Sequence, residues 1–506
     1  MLSAIKTAAV IGLEGEIIDV ETDISAGLPS FTIVGLGDAA VQESRERVRS
    51  AVRNSGFSFP MKRIVVNLAP ANIKKIGPAY DLPIAAGILL SSEQLVANLE
   101  GAILLGELSL EGNLRHTNGI LPMVSLARQR GINTAFVPEA DAREAALIPT
   151  MTIIPIRSLE QLAQHLRGDI TITPAEYSDE AGVAPPEYKG TDLSHVRGQE
   201  HVKRALEVAA AGGHNLVMTG PPGSGKTMLA RCLSGILPAM TPEEALDVTR
   251  IYSVSGLLPS DTPLIRERPF RAPHYTISNA GLVGGGQWPR PGEISLSHRG
   301  VLFLDELPEF GHNVLEVLRQ PLEDKTVTIS RAQGSLTFPA SFMLIGAMNP
   351  CPCGYFGDPY RRCTCSSSTV TRYQQRISGP FLDRVDIFVE VPHIDYEKLA
   401  GDSVGESSAV VRGRVSASRE RQQARFAGTG LNSNAEMTAA AVRQYCDIED
   451  EAQHLLRSAT QKLYLSARAF HRVLKLARTI ADLEASEIIK TAHLAEALQY
   501  RPRRSL

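Results

Sequence analysis

The chain has 506 residues, 43% of them hydrophobic and 21% charged, which supports about three domains of ordinary size. Its formal net charge of −3 excludes a global basic footprint, so any nucleic-acid contact must come from local clusters. No apolar run approaches the ~20 residues that cross a bilayer, and Met1-Leu2-Ser3-Ala4-Ile5-Lys6 leads into a Gly- and Glu-containing stretch without a signal-peptide core. The expectation is a soluble cytoplasmic protein with reduced cysteines and no membrane partner.

Residues 1–167 alternate strand-like and helix-like stretches: strands at Gly15 to Asp23 and Ser30 to Val34, a charged helix from Asp38 to Ser55, and a strand from Arg63 to Leu68. A hairpin is predicted over Ile103 to Arg115, then a helix from Met123 to Arg130 and a strand from Thr134 to Pro138. Through Gly106-Glu107-Leu108-Ser109-Leu110-Glu111-Gly112, this α+β domain resembles the proteolytic domain of Lon and its relatives in the ribosomal-S5-like superfamily. Proteolysis in that family uses a serine beside a Gly-Pro pair and a lysine after the hairpin. Here Gly77-Pro78 is followed by Ala79 and Tyr80, and Asn118 to Met123 contains no lysine, so a non-proteolytic platform is expected. Lys74-Lys75 and the run from Arg45 to Arg53 read as solvated charge.

A polar, proline-containing linker is predicted over 168–191, ahead of an ATPase core at 192–395. Within the core, Leu216-Val217-Met218 leads into Gly220-Pro221-Pro222-Gly223-Ser224-Gly225-Lys226-Thr227, and a helix-like segment follows. Glycines at these spacings let successive N–H groups turn inward onto phosphate oxygens at a helix start. Lys226 would reach the β and γ phosphates of ATP, and the Thr227 hydroxyl would hold Mg²⁺. The partner of such a cradle is a buried strand ending in carboxylates, which Val301-Leu302-Phe303-Leu304-Asp305-Glu306 supplies. Asp305 would hold Mg²⁺ through its water shell, and Glu306 would orient and deprotonate the attacking water.

The entry segment Asp192 to Gln199 resembles the adenine side of AAA+ ATPases, with Val196 and Gly198 near the base. About seventy residues separate the cradle from Asp305, more than a minimal core needs, and Arg268 to Glu293 combines basic, aromatic and Gly-rich character. This stretch resembles the helix-2 insertion of magnesium-chelatase-like AAA+ proteins, and the chain as a whole resembles the ComM/YifB family, including the Lon-like front domain and a C-terminal helical lid at 396–506. Val327 to Phe338 reads as a hairpin of alternating strands with Arg331 at its tip. The resemblance implies that Arg331 meets a DNA backbone; the alternative is a surface arginine at a turn. Asn349, ending the apolar strand Phe342 to Met348, matches the sensor 1 position, whose amide orients the attacking water.

Cys351-Pro352-Cys353 and Cys363-Thr364-Cys365 place four of the six cysteines within fifteen residues, which reads as a closed thiolate site for structural Zn²⁺ or as four free thiols. Ser378 to Ile387 resembles the arginine-finger segment, with Arg384 reaching a neighbour's γ-phosphate, which implies a homo-hexameric ring. Leu465 to Leu474 resembles the sensor 2 helix, with Arg468 as the γ-phosphate sensor and Arg472 as the second candidate. Taken together, the resemblance implies a ring-shaped, ATP-driven motor on branched or single-stranded DNA, a branch-migration helicase of recombination and natural transformation. A protein-remodelling AAA+ ATPase and a magnesium-chelatase motor subunit are the alternatives.

Overall fold

A computed structural model describes residues 2–75, 77–176, 190–259, 262–286, 289–331, 334–393 and 405–501. Gln287 and Trp288 of the Gly-rich loop, Ala332 and Gln333 of the hairpin tip, and the linker stretches 177–189 and 394–404 lie outside the described residues. The chain forms two compact units, one from Met1–Ala184 with Thr241–Arg266, the other from Pro185–Met240 with Glu267–Leu506. Among the described residues no helix is long and apolar enough to cross a membrane.

The first unit carries a mixed seven-stranded sheet in the order Ser30–Val34, Arg63–Ala69, Glu14–Ser25, Leu2–Ile11, Ala102–Leu104, Thr134–Pro138, Thr152–Ile156. Leu2–Ile11 and Glu14–Ser25 form a long antiparallel hairpin, while the last four strands run parallel. The helix Ala39–Asn54 starts where the Asp38 carboxylate accepts the Val41 N–H at 2.9 Å. It buries Val41, Ser44, Val48, Ala51 and Val52, the spacing of a single helical face. The predicted hairpin over 103–115 is divided: Ala102–Leu104 joins the large sheet, and only Glu107–Leu108 pairs with Leu114–Arg115. Two of the basic residues are not solvated. Lys75 is fully buried with its ammonium on the Pro70 carbonyl, and Arg47 pairs at 2.8 Å with the buried Asp81 carboxylate.

Residues 241–266, expected within the ATPase core, pack with this front unit instead. The helix Pro242–Ser255 is cut out by its sequence: Thr241 and Glu244 form a capping box and Pro242 takes the first helical position. Its Ser253 hydroxyl donates to Glu144 Oε1 at 2.6 Å, and the same oxygen accepts the Leu121 N–H at 2.9 Å. Glu144 is buried, and that desolvation raises its carboxyl to about 7.

The second unit holds a parallel five-stranded sheet in the order Phe270–Arg271, Val301–Leu304, Met343–Met348, Leu216–Thr219, Ile387–Glu390. The three central strands are nearly continuous apolar runs because helices cover both faces of such a sheet. The C-terminal helices Ser408–Arg425, Asp450–Lys462, Ala467–Leu483 and Thr491–Gln499 share that core: Val411, Leu456, Val473, Leu476 and Leu494 join Leu216, Leu229 and Phe303 in one buried cluster. The basic helix Ser408–Arg425 spends its cations internally, with Arg414 on Glu207 and Glu406, and Arg425 on the buried Asp482.

Candidate functional site

The cradle spans the end of the strand Leu216–Thr219 and the start of the helix Lys226–Ile236. Gly223 and Gly225 hold φ values of +78° and +87°, the left-handed region in which side chains are strained. Lys226 is buried, and its ammonium donates to the carbonyls of Gly220 (2.9 Å) and Pro221 (2.8 Å) and to Asn349 Oδ1 (3.2 Å). Desolvation lowers its pKa, opposed by the charges of Asp305 and Glu306.

Strand order brings the parts together. The Asn349 strand lies between the cradle strand and the carboxylate strand, so the amide stands beside Lys226 and one strand from Asp305. The Thr227 hydroxyl donates to Asp305 Oδ2 at 2.8 Å, and Asp305 Oδ1 accepts the Glu306 N–H at 2.9 Å. Glu306 holds φ +52°, an uncommon conformation for a residue with a Cβ, and it turns the chain out of the strand immediately after Asp305.

The residues fit Mg²⁺ and a polyphosphate. A hydroxyl and a carboxylate oxygen in contact are hard-cation ligands, and the ammonium and the helix N-terminus favour an anion. The Ser224 hydroxyl, inside the cradle, is buried with no hydrogen-bond partner among the described residues. Lys226, the cradle amides, Thr227 and Asp305 would hold ATP·Mg²⁺, and the cation there would neutralise phosphate charge.

Two expected arginines sit elsewhere in the same unit and share one carboxylate. Arg384, only 10% exposed, donates to the carbonyls of Arg319 and Pro380 and pairs with Glu323 Oε1 at 2.8 Å. Arg468, 54% exposed, pairs with that same oxygen at 2.9 Å. The second sensor candidate, Arg472, is a structural clip: it donates to the carbonyls of Leu382 and Val385 and approaches Asp383 at 3.4 Å. Glu323 was not legible as a functional residue, since nothing in its local sequence announces two partners from distant segments.

Gln199 was missed as well. It holds φ +57° ahead of the helix Glu200–Gly212, and its amide bridges the carbonyls of Ser224 (3.0 Å) and Pro392 (3.1 Å). The neighbouring Val196 is buried in the core. In the Gly-rich region, the short strands Gly284–Gly285 and Arg290–Pro291 pair antiparallel between the helices Asn279–Val283 and Glu293–Leu296. Arg271 is committed there to Glu293 at 2.6 Å. The hairpin Thr326–Arg331/Gly334–Pro339 forms as expected, with Arg331 opposite Gly334 as the last pair of its ladder.

The four clustered cysteines converge: every sulfur lies within 4.8 Å of the others, with Cys351 to Cys353 at 3.3 Å, Cys353 to Cys363 at 3.5 Å and Cys351 to Cys363 at 3.7 Å. A tetrahedral ion with ligand bonds of about 2.3 Å needs sulfurs about 3.8 Å apart, so the donor set fits one zinc ion. The N–H groups of Tyr355 and Thr364 lower the Cys353 thiol to about 5, and the Cys365 N–H donates to Cys363 Sγ at 3.4 Å.

Comparison with known proteins accords with this constellation. The magnesium chelatase subunit ChlI family model matches residues 192–399, the model for its C-terminal part matches 405–501, and a further model, subunit ChlI of Mg-chelatase, matches 20–141. The chain is 44% identical over 506 residues to competence protein ComM of Haemophilus influenzae, covering 99% of this chain and 97% of that protein. It is also 44% identical over 502 residues to the uncharacterized protein YifB of Escherichia coli, with the same coverage. Similarity to the magnesium-chelatase 67 kDa subunit of Chlorobaculum tepidum is narrower, 29% over 164 residues, 31% of this chain and 23% of that one. With its cradle, carboxylate strand and helical C-terminal region built this way, the chain belongs to the ComM/YifB family of magnesium-chelatase-like AAA+ ATPases.

Proposed function

We propose that this protein is a competence- and recombination-related, ring-shaped ATPase that drives branch migration of DNA junctions. The observation that carries the ATPase part is the contact chain Asn349–Lys226 and Thr227–Asp305, which assembles cradle, cation ligands and sensor from three adjacent parallel strands. Full-length similarity to a competence protein supports the DNA part.

In this reading Lys226 and the cradle amides bind and orient the phosphates, Glu306 takes the proton of the attacking water, and Asn349 fixes that water's position. Arg384 acts on the next subunit of a homo-hexamer, and Arg468 senses the γ-phosphate. Support comes from their shared anchor on Glu323, outside the hydrogen bonds of their own cradle. Arg331, beside the hairpin turn, contacts the DNA phosphates, so binding is sequence-independent and salt-sensitive. The four-cysteine loop holds structural Zn²⁺.

The front domain is a non-proteolytic platform, since the positions after Gly77-Pro78 are Ala79 and Tyr80 and the nearby Lys75 is committed to a carbonyl. Domain limits of 1–167 for that platform and 192–395 for the core, less the segment 241–266, accompany the proposal.

The test is labelled-strand displacement from three- and four-way junctions with ATP, beside Lys226→Ala and Arg331→Ala. Displacement that needs Lys226 and weakens without Arg331 is the expected result. Intact junctions with an ATPase rate indifferent to DNA would overturn the helicase reading and favour a protein substrate.

A further inference from the structure

The cysteine loop lies against the phosphate cradle, which a zinc site serving only its own fold has no need to do. Residues 349–366, between the strand Met343–Met348 and the helix Ser367–Gln374, contain no helix or strand. A loop of this length without secondary structure is unusual in a compact domain, and a metal cross-link would order it.

Its first grip is at the tip of the cradle. Gly354 holds φ +86°, and a Cβ there would stand 2.5 Å from Pro222 Cδ, so only glycine brings the loop backbone onto the cradle at this point. The Gly354 N–H donates to the Cys351 carbonyl at 2.9 Å, which ties that contact to the first thiol.

The second grip is at the base. Asp358 pairs with His393 at 3.0 Å, and the Tyr360 ring meets the same imidazole edge-on at 6.2 Å. His393 ends the segment whose Val391 carbonyl occupies the space a Cβ on Gly220 would need, at 2.2 Å, and whose Pro392 carbonyl accepts Gln199 Nε2. A third connection is covalent: Cys351 follows Asn349, the amide on Lys226, by two residues, and the intervening Pro350 carbonyl accepts Gln374 Nε2 at 3.2 Å.

We propose that the four-thiolate site is a metal-dependent brace of the nucleotide cradle, so that zinc occupancy sets how well this protein binds and hydrolyses ATP. The brace rests on the zinc reading given above and assigns that ion a role in the ATPase cycle. With zinc bound, the loop fixes Pro222, Asn349 and the 391–393 segment together. Without zinc the loop relaxes and the cradle loses two of its walls. Gly354 is a positioning residue, acting through Pro222.

The experiment uses the purified full-length protein with a reductant and excess Mg²⁺. Zinc per chain is measured by elemental analysis, the ion is removed with a zinc-selective chelator, and KM for ATP, kcat and circular dichroism are recorded before removal, after it, and after zinc is returned. The expected result is one zinc per chain, a loss of kcat/KM on stripping of up to about a hundredfold, the size of effect a misplacement of about 1 Å has on positioned groups, and recovery when zinc is restored. Gly354→Ala should keep its zinc and raise KM, because it pushes the loop off Pro222 and removes no thiol. Should stripping unfold the chain, that variant decides the matter by itself. Zinc that is present but whose removal leaves KM and kcat unchanged, or a zinc-loaded Gly354→Ala with normal KM, would overturn the brace and leave the site standing. A protein that neither carries nor binds zinc would overturn the zinc reading itself.

Discussion

The docking of the 241–266 segment on the front domain turns on one buried carboxyl. Glu144 is 6% exposed and accepts two hydrogen bonds through one oxygen, from the Leu121 N–H and the Ser253 hydroxyl. Burial raises its pKa from 4.5 to about 7; the charge of Asp141 adds to that, and His116 opposes it. Between those two pH values the folded chain keeps a proton that the unfolded chain has released. The stability this group contributes is therefore fully present below pH 4.5 and is lost as the pH rises through 7, by about 3 kcal/mol at 1.36 kcal/mol per pH unit. His116 acts in the same direction over a higher window, because its hydrogen bond with Asp141 raises it from 6.5 to about 9. Glu144→Gln isolates the first term: an amide oxygen still accepts both hydrogen bonds but does not titrate. Hydrogen exchange of the helix Pro242–Ser255, corrected for intrinsic rates, should show equal protection of the two proteins at about pH 4. At pH 8 the variant should be about a hundredfold better protected. Parallel pH curves for the two proteins would refute the reasoning, since the desolvated carboxyl would then not be what limits the docked helix at neutral pH.

Glu306→Gln should bind ATP with near-normal affinity while kcat falls about a hundredfold or more, the usual contribution of a positioned base, as read by nucleotide binding beside steady-state turnover. Arg384→Ala should lose about a thousandfold in kcat, and mixing it with Glu306→Gln chains should restore part of the rate, because a mixed ring contains interfaces pairing an intact base with an intact finger. No recovery on mixing would place Arg384 in its own subunit's site. Glu323→Gln should lower kcat about tenfold with KM for ATP within twofold, since it weakens the charge-assisted bonds that orient Arg384 and Arg468 and leaves the cradle untouched.

Much of the fold was written locally. Ser30–Val34 and Thr134–Pro138 match their predicted limits, and the helix predicted from Asp38 to Ser55 is observed as Ala39–Asn54 with Asp38 as its cap, because alternation and capping chemistry act over a few residues. Long-range pairing was less legible. Leu2–Ile11 is not among the predicted strands, yet it holds the middle of the sheet through its partners on both sides. The Ala102–Leu104 stretch looked like the arm of a hairpin and became a parallel strand, because a three-residue apolar run fits either role until its neighbours are known. The 241–266 segment carries clear helix signals, but which body it packs on is set by partners far off in the chain, such as Glu144 about a hundred residues away.

At the site, the residues that were legible are those whose chemistry is carried by spacing. The cradle, Asp305 and Asn349 each stand at the end of an apolar strand, and parallel pairing then forces those ends to one edge of the sheet. Arg384 and Arg468 were recognisable only by resemblance, and their mutual relation was not recognisable at all. They are separated by the whole segment between the sheet's last strand and the lid, and what unites them is Glu323, which precedes both in the chain. A single carboxylate oxygen accepts both cations, so segments far apart in the chain converge on one charge. The two arginines therefore share one counter-charge, and a change at Glu323 should be felt at both.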